Sequence, residues 1–195
     1  KAFLVLGVFL WCPTYTVLAQ NKKIDSLIVL LNKTKVDTAK IPILRQLSMA
    51  YTSVDVDKKF IYANQYRIIA EKHHIDSLIP MAYLDMGIKY GVKTEYDTAM
   101  YYFAKALKIA KEKKIPVQAA RAYVNIGYVF DRLDNTKASI ENYKLALEIF
   151  KKLKHRKGLN QTYINLGALY YDITEYKIAD VYFRQALKIA EQSKD

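Results

Sequence analysis

"AYVNIGYVF", residues 122–130, is an apolar stretch with one glycine set inside it. Forty residues earlier the chain reads "AYLDMGIKY" (82–90), and forty residues later "TYINLGALY" (162–170). Aligned on Gly87, Gly127 and Gly167, the three segments agree at many positions. Tyr83, Tyr123 and Tyr163 stand four residues before the glycine, and Tyr90, Phe130 and Tyr170 three after it. Twelve after it come Ala99, Ser139 and Ala179, and sixteen after it Phe103, Tyr143 and Phe183. The pairs Ala106-Leu107, Ala146-Leu147 and Ala186-Leu187 follow, then Ile109, Ile149 and Ile189. So many matches at one interval define an internal repeat.

The spacing has a direct physical reading. Tyr123, Gly127 and Phe130 fall at i, i+4 and i+7, which is one face of a helix. Ser139, Tyr143, Ala146 and Ile149 share a face of a second helix. Between the two lie short polar turns, "VKTEYD" (92–97), "RLDNTK" (132–137) and "DITEYK" (172–177), expected to supply Asn or Thr as N-caps. Pro80 and Pro116 sit where the first helix of a unit opens, a position that tolerates proline. Each unit therefore reads as a helical hairpin. Small residues at the contacts are expected to let two helix axes approach while aromatics fill the adjoining space.

These residues resemble the tetratricopeptide repeat, whose pattern combines Leu-Gly-Tyr on a first helix with small-aromatic-Ala on a second. Tyr83, Tyr123 and Tyr163 replace the family's usual tryptophan, and the forty-residue interval marks a long-period variant. The resemblance implies an all-α fold, a right-handed superhelical solenoid of antiparallel helix hairpins. Gly87, Gly127, Gly167, Ala99, Ala106, Ala146, Ala179 and Ala186 take the structural repeat positions. The expected organisation is a leader over residues 1–19, a packing helix over 20–36, a degenerate unit over 37–74, and units over 75–114, 115–154 and 155–195. In the degenerate unit Ala50 is expected at the glycine position, with Tyr66 and Ala70 on the second helix. The last helix is apolar around more than half its circumference, so the array is expected to continue beyond Asp195 in a longer protein.

Bulk composition agrees with a helical protein. Of 195 residues, 52% are hydrophobic and 26% charged, which excludes a disordered chain. Six glycines and four prolines leave little turn material. Apolar residues recur at helical spacing almost throughout, and no stretch alternates as a strand would. The N-terminus reads "KAFLVLGVFLWCPTYTVLAQ", a basic start, an apolar run too short to span a bilayer, Pro13, and small residues before Gln20. That is the pattern of a secretory signal peptide, with a buried N-terminal helix as the alternative. The only cysteine, Cys12, lies inside it, so the mature chain would carry no disulfide.

The formal net charge is +12. Lys111, Lys113 and Lys114 form one basic cluster, and Lys151, Lys152, Lys154, Arg156 and Lys157 another. Both stand at helix C-termini, where cations are favoured and usually form a solvated rim. An anionic membrane surface or an acidic partner is the other reading, and nucleic acid is not expected of an exported chain.

No catalytic, metal or cofactor motif stands out. His73 and His74 are adjacent and point in different directions on a helix. Asp55 and Asp57 open like a calcium loop, but Lys59 and Phe60 occupy positions that need a ligand and a glycine. Recognition remains. In tetratricopeptide proteins that bind extended peptides, the residue two before the glycine is often Asn on the concave face. Here it is Asp85, Asn125 and Asn165. The same resemblance assigns Arg121, Val124, Tyr128, Asp131 and Arg132 to the groove in one unit, and Gln161, Ile164, Ala168, Tyr171 and Asp172 in the next. Met81, Leu84, Ile88, Gly91 and Val92 add an apolar wall. The alternative is that Asn125 and Asn165 merely cap or solvate their helices. The expectation is an exported, periplasmic or cell-envelope scaffold, without cofactor, that binds a peptide or protein partner. The alternative is the extracytoplasmic sensory part of a longer membrane signalling protein, similar to the tetratricopeptide regions of bacterial envelope histidine kinases or transcription regulators, possessing a membrane tether in a missing C-terminal segment.

Overall fold

The computed structural model describes residues 13–192, with side chains from Gln20 onward. Among the described residues the elements are α1 (Pro13–Lys33), α2 (Asp37–Ala50), α3 (Val56–Lys72), α4 (Ile79–Val92), α5 (Tyr96–Glu112), α6 (Pro116–Arg132), α7 (Thr136–Lys152), α8 (Arg156–Asp172) and α9 (Tyr176–Glu191). One-turn 3-10 segments, Tyr51–Ser53 and Asp76–Leu78, join α2 to α3 and lead into α4. Residues 1–12 of the expected leader lie outside the described residues. The expected packing helix is longer at its start, since α1 begins at Pro13 and crosses the Ala19–Gln20 junction.

Each helix packs on the next, and α6 also touches both α4 and α8 directly. The first helices of the hairpins thus form an inner layer and the second helices an outer one. The main core runs unbroken from Ile41 and Leu44 through Tyr66, Phe103 and Ile126 to Val129. A second core, around Tyr143, Tyr163, Leu166 and Ala186, joins α7, α8 and α9. Ile24 and Leu27 of α1 close the N-terminal end against Ile43, Leu47 and Tyr51.

The regularity comes from the turns. A residue in left-handed backbone geometry recurs every twenty positions: His74, Thr94, Lys114, Asp134, Lys154 and Thr174, with φ between 50° and 66°. The next amide reaches back five residues to a helix carbonyl, as in Glu95 N–H to Tyr90 (2.9 Å) and His155 N–H to Phe150 (2.9 Å). The left-handed residue itself donates three residues back, Thr94 to Gly91 at 3.2 Å. This is the Schellman arrangement, which satisfies carbonyls that a helix end leaves open. It also corrects the expected caps. Asn135 does cap α7, its side chain accepting the Ala138 N–H at 3.1 Å. Thr94 and Thr174 do not cap, because each is consumed at the left-handed position one residue earlier. Glu95 and Glu175 become the N-cap residues and make no side-chain cap bond.

A β-branched residue is poorly suited to that geometry. Thr94→Gly and Thr174→Gly are each expected to stabilise the protein by about 1 kcal/mol, the left-handed penalty for an L-residue. Asp134→Gly should gain less, since Asp tolerates this region. Guanidinium denaturation midpoints of the three variants give the comparison.

Within each hairpin the aromatic sixteen residues after the glycine lies flat on it. A Cβ placed on Gly87 would come 2.5 Å from Phe103, one on Gly167 2.6 Å from Phe183, and one on Gly127 2.9 Å from Tyr143. The glycine therefore makes room for the ring of the facing helix. At Gly127 backbone also closes in, with the Ser139 carbonyl 3.3 Å away. Around this contact, Tyr90 and Tyr102 stack at 5.3 Å and Tyr170 and Tyr182 at 5.5 Å. Asn142 stands in the register of Tyr102 and Tyr182, so the middle unit lacks that stack.

Tyr143 is 2% exposed and has nowhere to move. Gly127→Leu should cost about 3 kcal/mol, the upper end of ordinary overpacking. Adding Tyr143→Ala should recover part of the loss, and calorimetric melting of the single and double variants tests the pairing. Gly167→Ala should be milder, because Phe183 is 40% exposed and can swing outward.

In the degenerate unit the large and small residues change places. Ala50 does not sit at the glycine position: it ends α2 and is half-buried, whereas Leu47, forty residues before Gly87, is fully buried. Ala63 holds the register of the aromatics Phe103 and Tyr143, and Tyr66 that of Ala106 and Ala146. Lys59 stands where later units have Ala99, Ser139 and Ala179, and is only 2% exposed.

Candidate functional site

The inner helices α4, α6 and α8 enclose two adjoining hollows on the concave face. The first, about 330 Å³, is bounded by Met81, Leu84 and Ile88 of α4, by Arg121, Val124 and Asn125 of α6, and by Gln161 of α8. The second, about 390 Å³, continues along Ile88, Val92, Val124, Asn125, Tyr128, Gln161 and Asn165. Ile88, Val124, Asn125 and Gln161 border both. Residues one helical turn apart on neighbouring inner helices thus make one groove with an apolar α4 wall and an amide-rich floor.

Asn125 and Asn165 are held differently. Asn125 Nδ2 donates to the Arg121 carbonyl at 2.9 Å, an i−4 bond along its own helix. Asn165 Oδ1 accepts from Gln161 Nε2 at 2.9 Å. Arg121 is exposed at the rim, and Tyr128 is 41% exposed. Six of the residues expected in the groove, Asp131, Arg132, Ile164, Ala168, Tyr171 and Asp172, border neither hollow. The Arg132 guanidinium lies over the Tyr128 ring at 5.9 Å, and Tyr171 packs on Tyr176 at 5.2 Å.

Asp85 is bound up with the protein interior. Lys59 Nζ donates to its Oδ1 at 3.0 Å, and the Tyr66 hydroxyl donates to its Oδ2 at 2.8 Å. The Ser48 hydroxyl adds a longer bond at 3.3 Å, and Lys59 also reaches Thr52 at 3.1 Å. The Asp85 side chain is 17% exposed, so it borders the first hollow while its charge is matched from below. A buried cation is tolerated only when paired and hydrogen-bonded, which Asp85 and Thr52 provide. Sequence spacing placed Asp85 beside Asn125 and Asn165. It gave no sign of Lys59, whose partner lies in a different unit.

Burial, and next the charge of Asp85, push the Tyr66 hydroxyl far above its ordinary 10.0, and burial does the same for Tyr143. Both stay neutral when folded, whereas unfolded tyrosines ionise near pH 10. Their contribution is therefore complete below pH 10 and is lost as pH rises above it, at about 1.4 kcal/mol per pH unit for each group. Tyr66→Phe should lower stability at neutral pH by about 2 kcal/mol, a hydrogen bond to a charged group. It should also make the alkaline decline less steep, which denaturant titrations between pH 8 and 11 would show.

Several residues of the first hollow had no earlier assignment. Phe150, His155, Lys157 and Gly158 close its end at the α7–α8 turn. His155 Nδ1 accepts the Gly158 N–H at 3.0 Å, capping α8, and its ring stacks on Phe150 at 5.1 Å. Gly158 leaves room for that phenyl ring: a Cβ there would lie 2.5 Å from it. Only Lys157 carried a signal, as part of a basic cluster.

Residues 117–192 match the tetratricopeptide repeat family. No curated protein matches the chain. Among solved structures, the apo form of RapI is similar at 25% identity and a TM-score of 0.68, over 93% of this chain and 52% of that one. A Rap protein complexed with competence and sporulation factor is similar at 19% identity and a TM-score of 0.78, over 91% of this chain and 52% of that one. A signal transduction ATPase with a tetratricopeptide repeat sensor, from Pyrococcus horikoshii, is similar at 21% identity and a TM-score of 0.66, over 92% of this chain and 29% of that one. The chain spans about half the length of the two Rap proteins. It has the helical-hairpin solenoid fold of these proteins, and α6 to α9 match the tetratricopeptide repeat itself.

Proposed function

We propose that this chain is an exported interaction scaffold that binds an extended peptide or a protein segment in the concave groove. The observation that carries this reading is the continuous pair of hollows bordered by α4, α6 and α8. Its apolar wall can take side chains, and the amides of Asn125, Gln161 and Asn165 can bond a peptide backbone. The solved Rap protein complexed with competence and sporulation factor supports it by analogy of fold. Export rests on the N-terminal sequence pattern. It is tested by fractionating the native cell and determining the mature N-terminus, and an intact leader on cytoplasmic protein would overturn it.

Asn125→Ala with Asn165→Ala is expected to weaken peptide binding at least tenfold while leaving helicity and melting nearly unchanged. Both side chains bond only within their own helix, so the fold does not depend on them. Peptides selected on the wild type from a displayed library, and measured by calorimetry on both proteins, give the comparison. Equal affinities would remove the groove from the mechanism.

A second reading has support in the similarity to the tetratricopeptide sensor of the signal transduction ATPase. In it the chain is the sensory part of a longer membrane signalling protein, and the groove receives the signal. The gene downstream of codon 195 decides between the two. A hydrophobic run of about 20 residues followed by an output domain selects the sensor.

A further inference from the structure

One edge of the solenoid carries a hollow unlike those of the groove. It lies where the C-terminal end of α5 meets the start of α6 and the last turns of α7. It measures about 380 Å³ and is bordered by Ala110, Ile115, Pro116, Ala119, Tyr123 and Ile149, with Lys111 and Lys114 at its mouth. Ala110, itself buried, stands in the register of Phe150, whose ring one unit later packs on Gly158 and His155.

The rim is basic and largely without counter-charges. Lys111 lies over the Tyr123 ring at 5.4 Å, which holds its ammonium beside the apolar opening. Lys113 is paired with Asp76 at 2.9 Å. Lys111, Lys114, Lys151, Lys152 and Lys154 are exposed, with no carboxylate partner among the described residues. Lys114 and Lys154 even occupy left-handed turn positions. The opposite edge, at the hairpin tips, carries Glu95, Asp97, Asp131, Asp134, Asp172 and Glu175 alongside Lys93, Arg132, Lys137 and Lys177. The excess positive charge is therefore concentrated on the first edge.

We infer that this edge docks on an anionic phospholipid bilayer, with one acyl chain or its glycerol end in the Ala110–Tyr123–Ile149 hollow and lipid phosphates on Lys111, Lys114, Lys151 and Lys152. Lysines on flexible stems suit a diffuse plane of phosphates, whereas base or bidentate phosphate recognition favours arginine. An apolar hollow among the cations selects an amphiphile over a purely polar polyanion. Such attachment would leave the groove, on another face, open to its partner.

The test is co-sedimentation of the full chain with vesicles of phosphatidylcholine alone or mixed with phosphatidylglycerol. Binding is expected only to the mixed vesicles and should fall with salt. Lys111→Gln/Lys114→Gln/Lys151→Gln/Lys152→Gln should lose about fivefold in partitioning per lysine removed, the usual contribution of a cation near an anionic surface. Lys137→Gln/Lys177→Gln, on the other edge, should bind as wild type does. Ala119→Leu, which fills the hollow, should weaken binding without changing its salt dependence; should that variant lose helicity, Ile149→Ala takes its place with the same expectation. Equal binding to both vesicle types, an unaffected lysine variant, an unaffected hollow variant, or equal retention by duplex DNA at matched phosphate concentration would each overturn the assignment.

Discussion

The contact of an aromatic ring with a glycine on the facing helix is the constraint on which this architecture rests. Phe103 on Gly87, Tyr143 on Gly127 and Phe183 on Gly167 leave no room for even a methyl group on the first helix. That contact fixes the spacing of two helices in a hairpin and the rotation of the first about its axis. Once the rotation is fixed, the residue two before the glycine faces neither the partner helix nor the next hairpin. Asn125 and Asn165 reach the concave face for that reason. A ring stacked on a helix backbone is also rigid, with few rotamers to lose. Three such rings in succession make the inner surface a preformed one.

The turns transmit this order along the chain. Six Schellman endings, twenty residues apart, give α5 to α8 a common length of seventeen residues and bring each hairpin back to the same register. None of the six uses glycine at the left-handed position. The helices are held by their packing strongly enough to keep Thr or Lys in a conformation that costs about 1 kcal/mol or more. Where the register is broken, between α2 and α3, a 3-10 turn replaces the Schellman ending and the packing inverts. Leu47 and Tyr66 are large where later units are small. The space of a small residue is then taken by Lys59, and that cation requires Asp85. One irregular unit thus dictates an acidic residue in the groove of the next.

Much of the fold was legible because it repeats. Tyr, Gly and aromatic at fixed offsets report a helix face directly, and copies at one interval report hairpins stacked in series. Asn125, Gln161 and Asn165, which the family resemblance assigned to a groove, do border the concave hollows. Legibility ended where a side chain's role depends on one from another unit. Asp85 shares its offset with Asn125 and Asn165, yet it is drawn inward by Lys59 and Tyr66 of the preceding hairpin. Thr94 and Thr174 resemble capping residues by type, but their position relative to the Schellman bond is set by three-dimensional helix ends. Phe150, His155 and Gly158 meet only because the α7–α8 turn folds a ring back onto the next helix.

The sequence by itself determined the helical period, the hairpin as the unit, and the face on which each unit packs. These depend on local periodicity and on repetition, both of which are properties of a linear chain. Tertiary structure decided which polar groups are committed and which spaces stay open. The pairing of Lys59 with Asp85 and the hollow between Ala110, Tyr123 and Ile149 depend on volumes and charges supplied by neighbouring units. An offset within a single unit carries no information about either. The motif "AYVNIGYVF" therefore specified its own helix, while the ring of Tyr143 and the walls of α4 and α8 settled what that helix could present.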